Sequence, residues 1–245
     1  MKNLKQLDRL LKKQSLNLKY DNPQQLMEYA RQLAEIENVV TVVSDLKNNT
    51  SCIFSGRFGS LFGLEPYSAE NSIWEKSILN RMTDKEQEEK YLAELRFYNY
   101  VRHLPHNVRP YYYMASKLRI STVFGDTVSI LHRMHYIYSE NSDSVRYALC
   151  IYGCMVFDFA GKSVAVNSMT GLTEELSPVK DATILSKREK QVLKLIDLGK
   201  TSADIAHILS ISIHTVNRHR QEILKKLQVR NSAEACRTAK SVAII

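Results

Sequence analysis

Apolar positions towards the end of the chain recur at helical spacing and predict three short helices. Ser186 followed by Glu189 is the capping-box pattern that begins the first helix, and Gly199 is suited to end it in the left-handed conformation. Thr201 with Asp204 begins the second helix in the same way. The buried side of the second helix is expected to consist of Ile205, Ala206, Ile208 and Leu209.

The third predicted helix follows a short turn at residues 210–212, where Ser212 is placed to cap it. At about 100° per residue, four apolar side chains fall on one stripe. This stripe is expected to face the two preceding helices and consists of Ile213, Val216, Ile223 and Leu227.

The opposite side of the third helix is polar and basic and predicts contact with DNA. Arginine pairs well with guanine O6 and N7, and asparagine or glutamine with adenine N6 and N7. A helix also fits the major groove. The candidate DNA-binding residues are Ser212, His214, Thr215, Asn217, Arg218, His219, Gln221 and Lys225. Taken alone, such a face is more typical of an ordinary three-helix bundle with a solvated outer side.

A fixed spacing of further residues favours the DNA-binding interpretation. These residues are Leu185-Ser186, Arg188-Glu189, Val192-Leu193, Gly199, Ile205-Ala206, Leu209, Ile211-Ser212, Thr215-Val216, His219, Ile223, Lys226-Leu227 and Val229. The pattern covers roughly a quarter of the chain without gaps and resembles the helix-turn-helix of the LuxR family of bacterial transcription regulators. The resemblance implies a DNA-binding transcription regulator. Asn217, Glu222 and Asn231 depart from residues common in the family, which affects the expected base sequence and not DNA binding itself.

The charge distribution agrees with a nucleic-acid partner. The whole chain carries a net charge of +8, and residues 181–245 hold twelve Lys or Arg against six Asp or Glu, a net of +6. Residues 21–180 are net −3. The positive charge is therefore concentrated where phosphate attraction requires it.

Composition also indicates more than one domain. All 21 aromatic residues lie at or before Phe159. We predict an N-terminal amphipathic helix at 1–20, a sensory or dimerisation domain at 21–166, a linker at 167–183 and the helix-turn-helix at 184–245. The N-terminal helix carries a leucine stripe and is expected to pack on its own domain or on a partner subunit, with membrane or nucleic-acid contact as the weaker alternative.

Residues 21–166 predict an α+β domain. Helices are expected at 24–37 and 84–104, the latter begun by the capping pair Thr83 and Glu86. Extended segments are expected at 39–43, 51–54, 111–122, 127–139 and 145–155.

Two strands, a run of helices and then three long strands resemble a PAS domain. The stretch VVTVVSDLKNNTSCIF followed by SGRFGSLFGLE is similar to the opening of that fold. The resemblance implies a five-stranded antiparallel sheet with helices, room for a small-molecule ligand beneath them, and dimerisation. We expect a homodimer that presents its two DNA-reading helices to half-sites about one helical turn apart.

Other functions stay open as alternatives. The first domain could bind a protein partner without any small ligand. In a third interpretation the chain is a response regulator phosphorylated on Asp45, although the acidic pair expected before it is missing. No cofactor is identified, the four cysteines show no metal-ligand spacing, and no catalytic motif predicts an enzyme. A haem ligand among His103, His106, His132 and His135 stays open, although such histidines are more often structural or surface residues. Without a secretory signal or a long apolar run, the expected location is the cytoplasm, with no membrane contact.

Overall fold

The computed structural model describes residues 2–12, 23–139, 144–177, 185–227, 229–241 and 244–245. The chain divides into two compact units, Met1–Glu175 and Leu176–Ile245. The first unit combines helices with one antiparallel sheet, and the elements described in the second are all helices. Among the described residues, no helix has the length and apolar character needed to cross a membrane.

In the part of the first unit that the structure describes there are four helices, two 3₁₀ turns and eight strands. The helices are α1 (Lys2–Lys12), α2 (Pro23–Ile36), α3 (Lys76–Leu79) and α4 (Asp84–Arg102), and the 3₁₀ turns are Arg57–Phe62 and His106–Tyr111. The strands are β1 (Val40–Asp45), β2 (Thr50–Ser55), β3 (Tyr67–Glu70), β4 (Tyr112–Ser121), β5 (Thr127–Tyr138), β6 (Val145–Cys154), β7 (Ser163–Asn167) and β8 (Thr173–Glu175).

The sheet has the strand order β3-β2-β1-β6-β5-β4-β7-β8, and neighbouring strands are antiparallel. The two predicted helices and five predicted strands are present with small shifts of their ends. The expectation of five strands is nevertheless wrong, because β3, β7 and β8 extend both edges. Strands β3 and β8 have four and three residues, which is too short for an alternating pattern to stand out in the sequence.

Strand β8 lies inside the segment predicted to be a linker, so the first part of that prediction is wrong. Asn167 closes the turn between β7 and β8, because its side-chain oxygen accepts hydrogen bonds from the backbone N–H groups of Met169 and Thr170 at 2.9 and 3.2 Å. Such side-chain turns give no helical or strand periodicity. Residues 178–183 of the predicted linker lie outside the described residues.

Helix α2 covers one face of the sheet. Ala30 and Ala34 are fully buried against an apolar surface formed by Val39, Val43, Phe54, Tyr147, Leu149 and Ile151. The Thr41 hydroxyl on β1 donates a 2.9 Å hydrogen bond to the Ala30 carbonyl. Small side chains on the helix therefore allow a close approach to the sheet.

Helix α1 packs on its own unit, in agreement with one of the two alternatives expected for it. Leu7 and Leu11 are buried. The indole N–H of Trp74 donates to Asp8 at 3.2 Å, and the backbone N–H of Asn3 donates to Glu88 at 3.1 Å. Residues 13–20 of the segment predicted as this helix lie outside the described residues.

A buried ionic cluster lies beside the sheet. Lys90 Nζ is 2.7 Å from Glu75 Oε1 and 2.6 Å from Glu94 Oε1, and the Tyr152 hydroxyl donates to Glu75 at 2.5 Å. The side chains of Glu75, Lys90 and Glu94 are at most 4% exposed. Burial opposes ionisation of Glu75, but Lys90 and Tyr152 outweigh it and lower the pKa of Glu75. Burial and the neighbouring Glu75 charge raise the pKa of Glu94.

Asp45 ends β1 and is not arranged as a phosphate acceptor. It is buried, and its carboxylate accepts hydrogen bonds from both terminal nitrogens of Arg146 and from the backbone N–H groups of Lys47 and Asn48. Burial would raise the pKa of Asp45, but these donors hold it below its usual value. The prediction of phosphorylation on Asp45 is contradicted by this geometry, since its carboxylate closes the β1–β2 turn.

Replacement of Arg146 by Met is expected to destabilise the first unit strongly. Asp45 would remain buried without its cation, and breaking a buried ion pair in this way costs about 3–5 kcal/mol. The matched control is Arg133→Met, since the 2.7 Å pair between Arg133 and Glu37 is partly exposed and is worth about 0–1 kcal/mol. Urea unfolding of the full chain, followed by the fluorescence of its single Trp74, measures both variants. Equal losses would contradict the structural role of Asp45.

Candidate nucleic-acid interface

The described residues of the second unit form four helices, α5 (Lys187–Asp197), α6 (Ser202–Leu209), α7 (Ile213–Leu227) and α8 (Ser232–Ser241). The three predicted helices are confirmed, and α8 was not predicted. The Asn231 side chain accepts a 2.9 Å hydrogen bond from the Glu234 backbone N–H, and Glu234 accepts one from the Arg230 backbone at 3.2 Å. The Asn-x-x-Glu spacing before α8 was therefore a usable capping signal.

Helices α5 and α6 begin as the sequence predicts. Ser186 and Glu189 form a complete capping box at the start of α5. Thr201 and Asp204 form another at the start of α6. Each box satisfies backbone N–H groups that would otherwise lack partners, so the two helices have defined start points.

The connections between the helices use left-handed residues. Gly199 follows α5 with φ +77°, as predicted. Ser210 follows α6 with φ +51°, in the short turn before α7. Ser212 then caps α7, because its hydroxyl accepts a 3.0 Å hydrogen bond from the Thr215 backbone N–H. This short turn sets where the first residues of α7 lie.

Helix α7 buries three of the four residues predicted to face its neighbours. Val216, Ile223 and Leu227 are at most 3% exposed, but Ile213 is 51% exposed. Ile213 lies about 60° from the mean direction of the other three on the helix and occupies its first turn, so it falls at the margin of the contact. Ile208 on α6 was also predicted to be buried and is 50% exposed. Both predictions were wrong because a side chain at the edge of an apolar stripe can remain in solvent.

The candidate DNA-binding residues form the uncovered side of α7. Ser212, His214, Asn217, Arg218, Gln221 and Lys225 are exposed, while Thr215 and His219 are half-buried. Within the described part of the chain, four of these side chains make no hydrogen bond or ion pair, namely His214, Arg218, Gln221 and Lys225. Their polar groups are therefore available to another molecule.

Polar contacts fix α7 and α6 relative to α5. Lys226 Nζ lies 2.8 Å from both carboxylate oxygens of Glu189. Arg188 donates a 2.6 Å hydrogen bond to the Leu209 carbonyl at the end of α6. Burial would raise the pKa of Glu189, but hydrogen bonds from Lys226 and Ser186 outweigh it and lower that pKa. Glu189 therefore serves both the capping box and the attachment of α7.

Ser202 and Arg220 adjoin the candidate interface but were not among the predicted site residues. Arg220 donates to Ser202 on α6 at 3.2 Å and to Ser232 on α8 at 3.1 Å. Ser202 also contacts Asn217, whose side-chain oxygen is 3.0 Å away. No local pattern signals these contacts, because they join residues 12 to 18 positions apart. No group of three or more metal-binding side chains occurs among the described residues.

Comparison with known proteins identifies the class of this domain. Residues 183–239 match the family described as "Bacterial regulatory proteins, luxR family". Regulatory protein SdiA of Escherichia coli is 51% identical over 55 residues, which is 22% of this chain and 23% of SdiA. Oxygen regulatory protein NreC of Staphylococcus epidermidis is 31% identical over 130 residues, 49% of this chain and 60% of NreC. These matches span less than two thirds of either relative's length.

A solved structure of a phage VqmA–DPO complex is 14% identical and covers 89% of both chains, with a TM-score of 0.32. The second unit is a helix-turn-helix domain whose exposed helix face is suited to DNA. It belongs to the LuxR type, as the match over residues 183–239 shows.

Replacement of Lys226 by Met is expected to loosen α5 and α7. Glu189 would keep its buried position but lose its cation, and hydrogen bonds to charged groups contribute about 1.5–3 kcal/mol. Protection of the α5 and α7 amides from hydrogen exchange in the full chain should fall by roughly tenfold or more. Lys225→Met is the matched control, since Lys225 is exposed on the same helix. Similar loss of protection in both variants would show that the Glu189 pair is unimportant.

Proposed function

We propose that this chain is a transcription regulator whose helix α7 enters the major groove of double-stranded DNA. The observation that carries the proposal is the uncovered polar face of α7 in a LuxR-type domain. Its candidate contacts are Ser212, His214, Thr215, Asn217, Arg218, His219, Gln221 and Lys225. The net charge of +6 over residues 181–245 supports attraction to phosphates. A bacterial regulator of this kind acts in the cytoplasm, where the chromosome lies.

The first unit is proposed to be a PAS-like sensory or dimerisation domain. Five adjacent strands, in the order β2-β1-β6-β5-β4, support this assignment. The hairpin of β1 and β2 lies beside β6, the last of three consecutive long strands, and the helices α3 and α4 occur between the two groups in sequence. Strands β3, β7 and β8 are then additions at the two edges of that arrangement.

The proposed active form is a homodimer on DNA. Two copies of α7 would then meet half-sites about one helical turn apart, as two-fold symmetric helix-turn-helix proteins do. The first unit would control the pairing of the two subunits or their geometry. The proposed first domain extends to Glu175, beyond the predicted limit at 166, and the proposed helix-turn-helix domain keeps the limits 184–245.

Two inputs to the first unit are open to experiment, a small molecule or a protein. A buried ionic cluster that borders a cavity supports a ligand site, because charged groups gathered in a pocket often mark function. The cavity beside Glu75, Lys90 and Glu94 measures about 20 Å³, however, which is room for about one water molecule and favours a protein partner. Native mass spectrometry of the purified full chain separates the two. Extra mass that is lost on denaturation identifies a ligand, and its absence supports a protein partner.

Arg218→Ala is expected to relax base preference at one or two positions of the DNA site. The exposed guanidinium is suited to guanine O6 and N7, and such a contact contributes about 1–3 kcal/mol of discrimination. Selection of binding duplexes from a randomised library by the full chain and the variant measures the change. If the variant binds every sequence more weakly by the same factor, Arg218 does not read a base.

Lys225→Ala is expected to weaken binding evenly across sequences and to reduce the salt dependence by about one charge. Lys225 is exposed in the last turn of α7, where its side chain is better suited to contact a phosphate than a base. Affinities for the selected duplex and for a scrambled duplex, measured over a series of salt concentrations, give both quantities. A changed base preference would place Lys225 against a base edge instead.

A further inference from the structure

We propose that Ser202 and Arg220 orient the side-chain amide of Asn217 so that it favours guanine over adenine in the DNA. The inference rests on the proposed function, since it assumes that α7 lies in the major groove. Ser202 and Arg220 would be positioning residues, and Asn217 the residue that meets the base. The three side chains come from two helices, and a fourth from α8 completes the network.

The contacts form a continuous chain of hydrogen bonds. Arg220 on α7 donates from one terminal nitrogen to Ser202 at 3.2 Å and from the other to Ser232 on α8 at 3.1 Å. The Ser202 hydroxyl then donates to Asn217 Oδ1 at 3.0 Å. Arg220, Ser202 and Ser232 are half-buried, whereas Asn217 is exposed. The network is thus anchored in the protein and ends at the surface.

The donor and acceptor properties of the three side chains favour hydrogen bonds that run from Arg220 through Ser202 to Asn217. A guanidinium can only donate, so Ser202 Oγ accepts from Arg220 and its own hydrogen is left for Asn217. A hydroxyl that accepts from a cation becomes a better donor, because hydrogen bonds in a chain polarise one another. The nearby positive charge also attracts the carbonyl end of the Asn217 amide more than its amino end. Oδ1 therefore faces Ser202.

This orientation changes what Asn217 offers to a base. An asparagine that reads adenine uses both ends of its amide, accepting from N6 and donating to N7. Here the carbonyl already accepts one hydrogen bond within the protein, while both N–H donors of the amino group remain available. Guanine presents two acceptors, O6 and N7, on its major-groove edge. The match between two donors and two acceptors favours guanine.

Planar Arg220 is suited to its anchoring role. Its two terminal nitrogens point in fixed directions, and each meets one serine, so the side chain links α6, α7 and α8. The base preference at Asn217 would thereby depend on the packing of helices that do not themselves meet that base. This explains how a residue pointing away from the DNA can influence the sequence that is bound.

The test is selection of duplexes from a randomised library by the full chain and by three variants, Ser202→Ala, Asn217→Ala and the double variant. Asn217→Ala identifies the base position that Asn217 reads, because preference is lost there. At that position we expect guanine for the unchanged chain. Ser202→Ala should lower the ratio of guanine to adenine by about fivefold, the effect of one hydrogen bond. When Asn217 is already replaced by Ala, Ser202→Ala should not change the base preference at this position any further.

Arg220→Met provides a second variant, in which Ser202 and Asn217 are both retained. It should shift the preference at the same position in the same direction as Ser202→Ala. Circular dichroism verifies that each variant keeps its helices. If Ser202 and Arg220 served only stability or phosphate contact, the variants would bind all sequences more weakly, and the base preference of the selected duplexes would not change.

The outcomes separate the inference from the proposed function. The inference is overturned if the unchanged chain prefers adenine at the base position that Asn217 reads. It is also overturned if Ser202→Ala still changes the base preference when Asn217 is replaced by Ala. In both cases the chain would still select a common sequence, and the proposed function would stand. If the unchanged chain selects no common sequence, the proposed function is wrong and the inference is overturned with it.

Discussion

Helix α7 buries Val216, Ile223 and Leu227 against its neighbours, and this contact decides which of its other side chains can meet DNA. Burial of each such side chain contributes about 1.5–3 kcal/mol, more than an exposed polar contact. The rotation of α7 about its axis is therefore set by apolar packing. The side chains on the other face, among them Arg218 and Gln221, are held in a common direction as a consequence.

Polar contacts then refine the position that packing sets. Glu189 joins the start of α5 to Lys226 near the end of α7, and Arg220 joins α7 to α6 and α8. A small helical domain gains precision from such contacts, because they have directional requirements that apolar packing lacks. Base recognition depends on displacements smaller than a side chain, so this precision matters for function.

In the first unit, a cluster of charged side chains is buried beside the sheet. The cluster consists of Glu75, Lys90 and Glu94, and isolated charges would be unstable in this position. A hydrophobic replacement of similar shape would often be as stable, so stability alone does not explain the cluster. The pair of Asp45 and Arg146 has a clearer structural task, since Asp45 also closes the turn between β1 and β2.

Local signals in the sequence predicted local structure well. The capping boxes at Ser186 and Thr201 and the left-handed Gly199 are confirmed, because each depends on residues only a few positions apart. The exposure of Ile208 and Ile213 depends on how helices cross, which periodicity does not contain. The short strands β3 and β8 form because neighbouring strands provide hydrogen-bonding partners, and three or four residues carry no pattern of their own.

The candidate site also combines features that local sequence predicts with contacts that it does not. Its exposed residues on α7 could be predicted from helical spacing, whereas the contacts of Arg220 with Ser202 and Ser232 could not. Arginine is a residue type that often contacts DNA, and only the fold reveals that the donors of Arg220 are used within the protein. The ion pair of Asp45 with Arg146, 101 positions away, is equally invisible to local analysis.

Methylation interference on a duplex selected by the full chain tests most directly whether α7 reads the major groove. Dimethyl sulfate modifies guanine N7 in the major groove and adenine N3 in the minor groove, so one experiment reports on both. We expect methylated guanines within the selected site to prevent binding and methylated adenines to leave it unchanged. Interference confined to adenine N3, or none at either atom, would contradict the placement of α7 in the major groove.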